Sequence, residues 1–128
     1  MWIYVTLGGA FGALARYAVS GWVQDTVHST FPWGTLVVNL TGSFLLGFGM
    51  RAMEALPVAA GTRALLTIGF LGAFTTFSTF SYETVALIRD GDWGRAVAYA
   101  GASLAMGLVA VFAGLAAASA VLRMRGVG

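Results

Sequence analysis

The sequence predicts an all-α integral membrane protein with four transmembrane helices, the third broken near mid-membrane. Three observations predict it. Hydrophobic residues make up 59% of the 128-residue chain and charged residues 9%. A soluble domain carries about 25% charged residues, so there is too little charge here to cover a wetted surface. The apolar residues are gathered into four stretches, each close to the roughly 20 residues that cross a hydrocarbon core as helix. None of the stretches alternates polar and apolar with period two, which argues against a β-barrel.

The first stretch runs from Trp2 to Val23. No basic segment precedes it and it is long enough to span, so it is expected to be a membrane helix rather than a cleaved signal. The second runs from Trp33 to Met53, the third from Ala64 to Ile88 and the fourth from Gly94 to Leu122. The connections are short and carry most of the charge: Asp25 and His28; Arg51, Glu54 and Arg63; then Arg89, Asp90, Asp92 and Arg95. With no linker, residues 1–128 are expected to form one four-helix unit. Four spans place both termini on one side, with Arg51, Arg63, Arg123 and Arg125. Arg89 and Arg95, and Arg16 if it reaches the interface, lie on the other. That is a weak positive-inside bias, and it also suits a chain that inserts in both orientations. Gly8 and Gly12 form a GxxxG pair. Ser43 and Gly47, Gly69 and Ala73, and Ala98 and Ala102 repeat the spacing, which allows close helix approach in lipid.

The third stretch is the most informative. Gly69 and Gly72 precede a run containing Thr75, Thr76, Ser78, Thr79 and Ser81. Glycine costs about 1 kcal/mol relative to alanine in a helix interior, so a helix break is expected between Gly72 and Thr76. Irregular backbone at membrane depth survives only when buried in protein or lining a wet cavity. Freed carbonyls there would suit a small hard cation. The alternative is a continuous helix whose hydroxyls bond back to the preceding turn, and spacing alone leaves both open. Phe74, Phe77 and Phe80 recur every three residues. Such a stripe can face lipid or pack against other helices. Its ring edges, which are electropositive, could instead line a path for a small anion.

Two other stretches supply polar stripes. Thr35, Asn39, Ser43 and Gly47 share one helix face, as do Arg95, Tyr99, Ser103 and Gly107. Asn39 can donate amide N–H groups to an anion. Helix-to-helix hydrogen bonding is the competing use. Arg16 either snorkels to the headgroups or attracts anions at a vestibule. Glu83 could pair with an arginine, sit in a vestibule or carry protons. Apart from Glu83, the groups expected to face inward are neutral or positive, which favours an anion as the permeant species.

Other functions are poorly supported. There are no cysteines, hence no disulfide framework or thiolate site. The single His28 lies in a loop with no cluster of metal-ligating residues and no nucleophile to serve, so enzyme chemistry is not expected. The net charge of +2 comes without the clustered basic face that nucleic-acid binding needs.

The segment Gly69-Phe70-Leu71-Gly72, followed by Thr75-Thr76-Phe77-Ser78-Thr79-Phe80-Ser81, resembles the signature of the bacterial fluoride channels of the Fluc (CrcB) family. Trp33-Gly34-Thr35 with Val38-Asn39-Leu40 resembles its second-helix motif, and Gly12 to Arg16 and Tyr99 to Ser103 match in the first and fourth helices. The likeness covers nearly the whole chain. It implies a passive fluoride channel of the inner (plasma) membrane, formed by two antiparallel, dual-topology copies with two pores. It also implies that Phe77 and Phe80 contact fluoride through ring edges, and that Asn39, Tyr99, Ser103 and Thr79 continue the polar track. Glu83 would lie near the pore and Arg16 near a vestibule. Gly72 and Thr75 would offer backbone carbonyls to a structural sodium ion at the dimer axis. Two positions depart from relatives. Gly107 stands where some have a second serine. Phe74 replaces a small or aliphatic residue, and its ring is expected near the dimer interface. The competing assignment is a proton-coupled transporter resembling the small multidrug exporters, but those depend on a carboxylate in the first span, where this chain has Arg16. A further alternative is a non-transporting membrane subunit whose polar stripes only join helices.

Overall fold

A computed structural model describes residues 1–127. Helix α1 covers Trp2–Val27, and α2 covers Trp33–Ala55. The third span is composite: α3 (Ala60–Arg63), a π-helical stretch (Ala64–Leu71), α4 (Gly72–Phe74) and, after a gap, α5 (Phe77–Arg89). Helix α6 covers Trp93–Met124. The described residues form no strand, as the sequence predicts. Three segments combine the length and the apolar composition needed to cross a membrane: Trp33–Ala55, Ala60–Arg89 and Trp93–Met124. Helix α1, with 26 residues, is about 39 Å long at 1.5 Å per residue. It too has the length to cross, but it carries Arg16, Gln24 and Asp25.

The connections are built from local chemistry. Helix α1 ends where His28 adopts the left-handed conformation, φ 50°. The Gln24 side chain then holds the turn: its amide donates to the carbonyls of Ser29 and Phe31, and its Oε1 accepts from Gly34 N at 3.2 Å. Between α5 and α6, Gly91 supplies a positive φ of 80°. Asp92 then caps α6 by accepting from Arg95 N at 3.2 Å.

Small residues set the packing. A Cβ at Gly8 would run into the Leu65 carbonyl oxygen, and one at Gly12 into the Phe70 carbonyl oxygen. The GxxxG pair of α1 therefore docks on the π-helical stretch. Helices α2 and α6 meet in the same way: Gly47 lies against the Val111 carbonyl and Gly114 against that of Phe44. Large apolar side chains such as Phe11, Phe112, Val109 and Leu104 point outward, each more than 60% exposed. Water would penalise so much exposed apolar surface; hydrocarbon does not.

The Phe74 ring is held by packing within the subunit. Phe74 is 5% exposed and stacks on Phe70 with ring centroids 5.8 Å apart. Its ring packs inside the subunit, beside Gly42, whose missing Cβ makes room first for the Thr75 methyl and then for this ring.

Candidate functional site

The third span breaks at Thr75 and Thr76, which adopt extended backbone angles (φ −83°, ψ 157° and φ −149°, ψ 117°). This falls within the stretch the glycines and threonines predict. A broken helix strands backbone groups that must find partners elsewhere. Asn39 of α2 supplies two: its Nδ2 donates to Thr76 O at 3.1 Å and its Oδ1 accepts from Thr76 N at 2.8 Å. This reciprocal pair also fixes which end of the amide is which. Thr76 Oγ1 then caps α5 by accepting from Thr79 N at 3.2 Å, and it donates to Thr79 Oγ1 at 3.0 Å. On the other side of the break, Arg16 Nε of α1 donates to Ala73 O at 3.1 Å. The Thr75 hydroxyl bonds back to Leu71 O at 3.0 Å.

Upstream, the π-helical stretch slips the ladder by one residue, so that Gly72 N reaches Thr67 O. Besides Ala73, the carbonyls of Gly72 and Thr75 are separated from their usual helical donors. The donor for Gly72 O would be Thr76 N, which is turned towards Asn39; that for Thr75 O would be Thr79 N, which is turned to the Thr76 hydroxyl.

Beside the break lies a cleft of about 380 Å³, whose walls include Asn39, Ser43, Gly72, Thr75, Phe77, Phe80 and Ser103. Phe77 is 80% exposed. Its ring lies 5.7 Å from that of Phe80, tilted by 48°. Ser103 Oγ is buried, and among the described residues it is the one buried side-chain polar atom without a hydrogen-bond partner. An orphaned buried hydroxyl costs about 1–3 kcal/mol, so it calls for an explanation.

Behind Phe80 the polar groups are matched. Tyr99, 0% exposed, stacks on Phe80 with centroids 5.2 Å apart. Its hydroxyl donates to Glu83 Oε2 at 2.7 Å, and the Thr35 hydroxyl donates to Glu83 Oε1 at 2.8 Å. Each oxygen of the one carboxylate in this part of the third span thus has a donor. Phe80 also packs with Phe31 and Ile88 against the buried cluster of Leu87, Ala96 and Tyr99. That packing fixes the ring's position.

The family described as CrcB-like protein, Camphor Resistance (CrcB), matches residues 3–115. The chain belongs to the CrcB family. Among curated relatives, the fluoride-specific ion channel FluC of Opitutus terrae is 47% identical over 129 residues, covering 98% of each chain. The FluC channel of Acidobacterium capsulatum is 44% identical over 115 residues, covering 89% of this chain and 92% of its own. A FluC 2 channel of Moorella thermoacetica is 48% identical over 120 residues, covering 94% of this chain and 98% of its own. These relatives carry the names of ion channels, not of enzymes.

For this CrcB chain, the cleft gathers Asn39, Phe77, Phe80, Ser103, Gly72 and Thr75 from three spans. Tyr99 and Glu83 stand behind Phe80, Thr79 stands behind Thr76, and Arg16 sits across the break. Sequence reasoning passes over Thr67, which also lines the cleft; its spacing of four from Leu71 and eight from Thr75 is the signal that could have found it. It also passes over Gln24, a polar residue in the last turn before Pro32, where a loop brace is needed.

Proposed function

We propose that this chain is a subunit of a fluoride-selective passive channel of the inner (plasma) membrane, working as an antiparallel, dual-topology homodimer with two pores. The observation that carries the reading is the orphaned Ser103 hydroxyl in a cleft it shares with Asn39 and the rings of Phe77 and Phe80. The names of the relatives support the same reading. Asn39 uses one amide hydrogen on Thr76 O, and an amide has two; the second is available to an anion. With the Ser103 O–H, it gives the cleft two donors of neutral charge.

An isolated ion in a medium of dielectric about 4 is destabilised by tens of kcal/mol. The cleft must therefore exchange water for other donors step by step. Neutral hydroxyl and amide donors, followed by electropositive ring edges, give many weak contacts rather than one deep site, and conduction requires an ion that can leave. In the Thr35–Glu83–Tyr99 network both carboxylate oxygens of Glu83 accept hydrogen bonds, and the Tyr99 ring supports Phe80 by stacking on it. That arrangement does not suit the small multidrug alternative, in which a carboxylate must be free to give up a proton as it takes a cationic substrate.

The exposure of Phe77 supports a second copy, whose approach would complete the wall of each path. A sodium ion would be held by the carbonyls of Gly72 and Thr75. These are hard, uncharged oxygen donors released from the helix ladder, so the residues present fit such an ion. Two oxygens from each of two copies would supply four of the six or so ligands usual for hard cations, and the ion would pin the two broken helices together.

The test is fluoride efflux from liposomes containing the purified protein, read with a fluoride electrode beside a chloride control. Fluoride release without chloride release is expected. No fluoride flux from correctly folded protein would sink the proposal.

A further inference from the structure

A second cleft, of about 340 Å³, is lined by Arg51, Ser119, Arg123 and Val127. It shares no lining residue with the Asn39–Ser103 cleft. Helices α2 and α6 run parallel as second and fourth spans, and Arg51 and Arg123 lie near their C-terminal ends. Helix α6 has 32 residues, about 48 Å at 1.5 Å per residue, longer than a hydrocarbon core of about 30 Å. Part of it therefore lies outside the hydrocarbon, and the charged Arg123 and Arg125 at its C-terminal end assign that end to the headgroups.

Both arginines are braced by one serine. Arg51 Nε donates to Ser119 Oγ at 3.2 Å, and Arg123 Nε donates to Ser119 O at 3.3 Å. Using Nε in this way leaves the Nη groups of both guanidinium forks for a ligand. Because Ser119 Oγ accepts from Arg51, its own O–H can donate as well. Among the described residues, Glu54 is the carboxylate paired with this cluster; it stands 4.0 Å from Arg51 Nη1 and its side chain is 60% exposed, an exposed pair at the limit of contact. Complementing a helix end accounts for one arginine per helix pointing into water. It does not account for two arginines from different helices converging on one serine at the lip of a cleft.

We infer that the Arg51–Ser119–Arg123 cleft binds a phosphate group, either the headgroup of an anionic phospholipid or free inorganic phosphate. Planar guanidinium forks match phosphate oxygens two at a time, and basic pockets between membrane helices at this depth take lipid headgroups.

Native mass spectrometry of the purified full chain tests this, with phosphatidylglycerol, phosphatidylcholine and inorganic phosphate offered separately. Retention of phosphatidylglycerol over phosphatidylcholine is expected, weakened about fivefold in Arg123→Gln and again in Arg51→Gln, as each arginine near an anionic surface contributes. Retention of inorganic phosphate with the same dependence on the two arginines would support the site and assign it to the free ion. Arg125→Gln, an exposed arginine outside the cleft, is the control and should change nothing. Equal retention of both lipids together with no arginine-dependent retention of inorganic phosphate, or equal weakening by Arg125→Gln, would overturn the inference. Arg123 lies in the last, exposed turn of α6, so its variant tests the site even if Arg51→Gln fails to fold.

Discussion

The two sides of Phe80 handle polar groups in opposite ways. Behind the ring, Thr35, Glu83 and Tyr99 satisfy one another through bonds of 2.7 and 2.8 Å. In front of it, the Ser103 hydroxyl is buried with no partner, and the Asn39 amide keeps a hydrogen in reserve. A membrane helix tolerates polar side chains in both settings, but for different reasons. Matched groups hold helices together. Unmatched groups in a cleft can serve something that arrives from outside. The same residue types, a hydroxyl and an amide or acid, thus fall to structure or to transport according to whether the chain itself completes them.

Asn39 straddles this divide and should give the largest effect. Asn39→Ala removes both partners of the Thr76 backbone, and each stranded group costs about 1–3 kcal/mol. The variant is expected to lose thermal stability, read by tryptophan fluorescence, together with fluoride flux. A stable but non-conducting Asn39→Ala protein would mean that the reciprocal pair contributes little to the break. Tyr99→Phe comes next. It strips one donor from Glu83 and should lower stability by about 1–3 kcal/mol, while reducing flux less than a change at Phe80 does. Phe80→Ile shortens the side chain and removes the ring stacked on Tyr99, a large-to-small change expected to cost about 1–3 kcal/mol. It should stop flux while the protein still elutes as a folded assembly; undiminished flux would remove the ring from the path.

Much of this contrast is legible in the sequence, because it rests on spacing. The stripe through Asn39 and Ser43 and that through Tyr99 and Ser103 follow from residues four apart, and the break follows from Gly69, Gly72 and the paired threonines. What spacing cannot supply is the long-range partner. The break settles at Thr75–Thr76 because Asn39, 37 residues away, takes over the Thr76 backbone, and Glu83 is fixed by hydroxyls from two other spans. The π-helical stretch Ala64–Leu71 has no local mark before Gly69. Its apolar residues would continue an α-helix equally well, and its form goes with the docking of Gly8 and Gly12 against its carbonyls. Phe74 reads as part of a regular phenylalanine stripe, yet the break separates it from Phe77 and Phe80 and turns it into the subunit, onto the Phe70 ring. Arg16 reads as a charge looking for water or an anion, whereas its Nε is spent on the Ala73 carbonyl that the break exposes.

No loss of stability is expected at the residue that tests the account most directly. Ser103→Ala removes a buried hydroxyl that bonds to nothing in the chain, so the fold should be as stable as before or more stable, by up to the roughly 1–3 kcal/mol that the unpaired group costs. Fluoride efflux from liposomes carrying this variant, measured beside the unaltered protein at matched reconstitution, is predicted to fall clearly. Efflux equal to that of the unaltered protein would contradict the claim that the unmatched hydroxyl serves the ion.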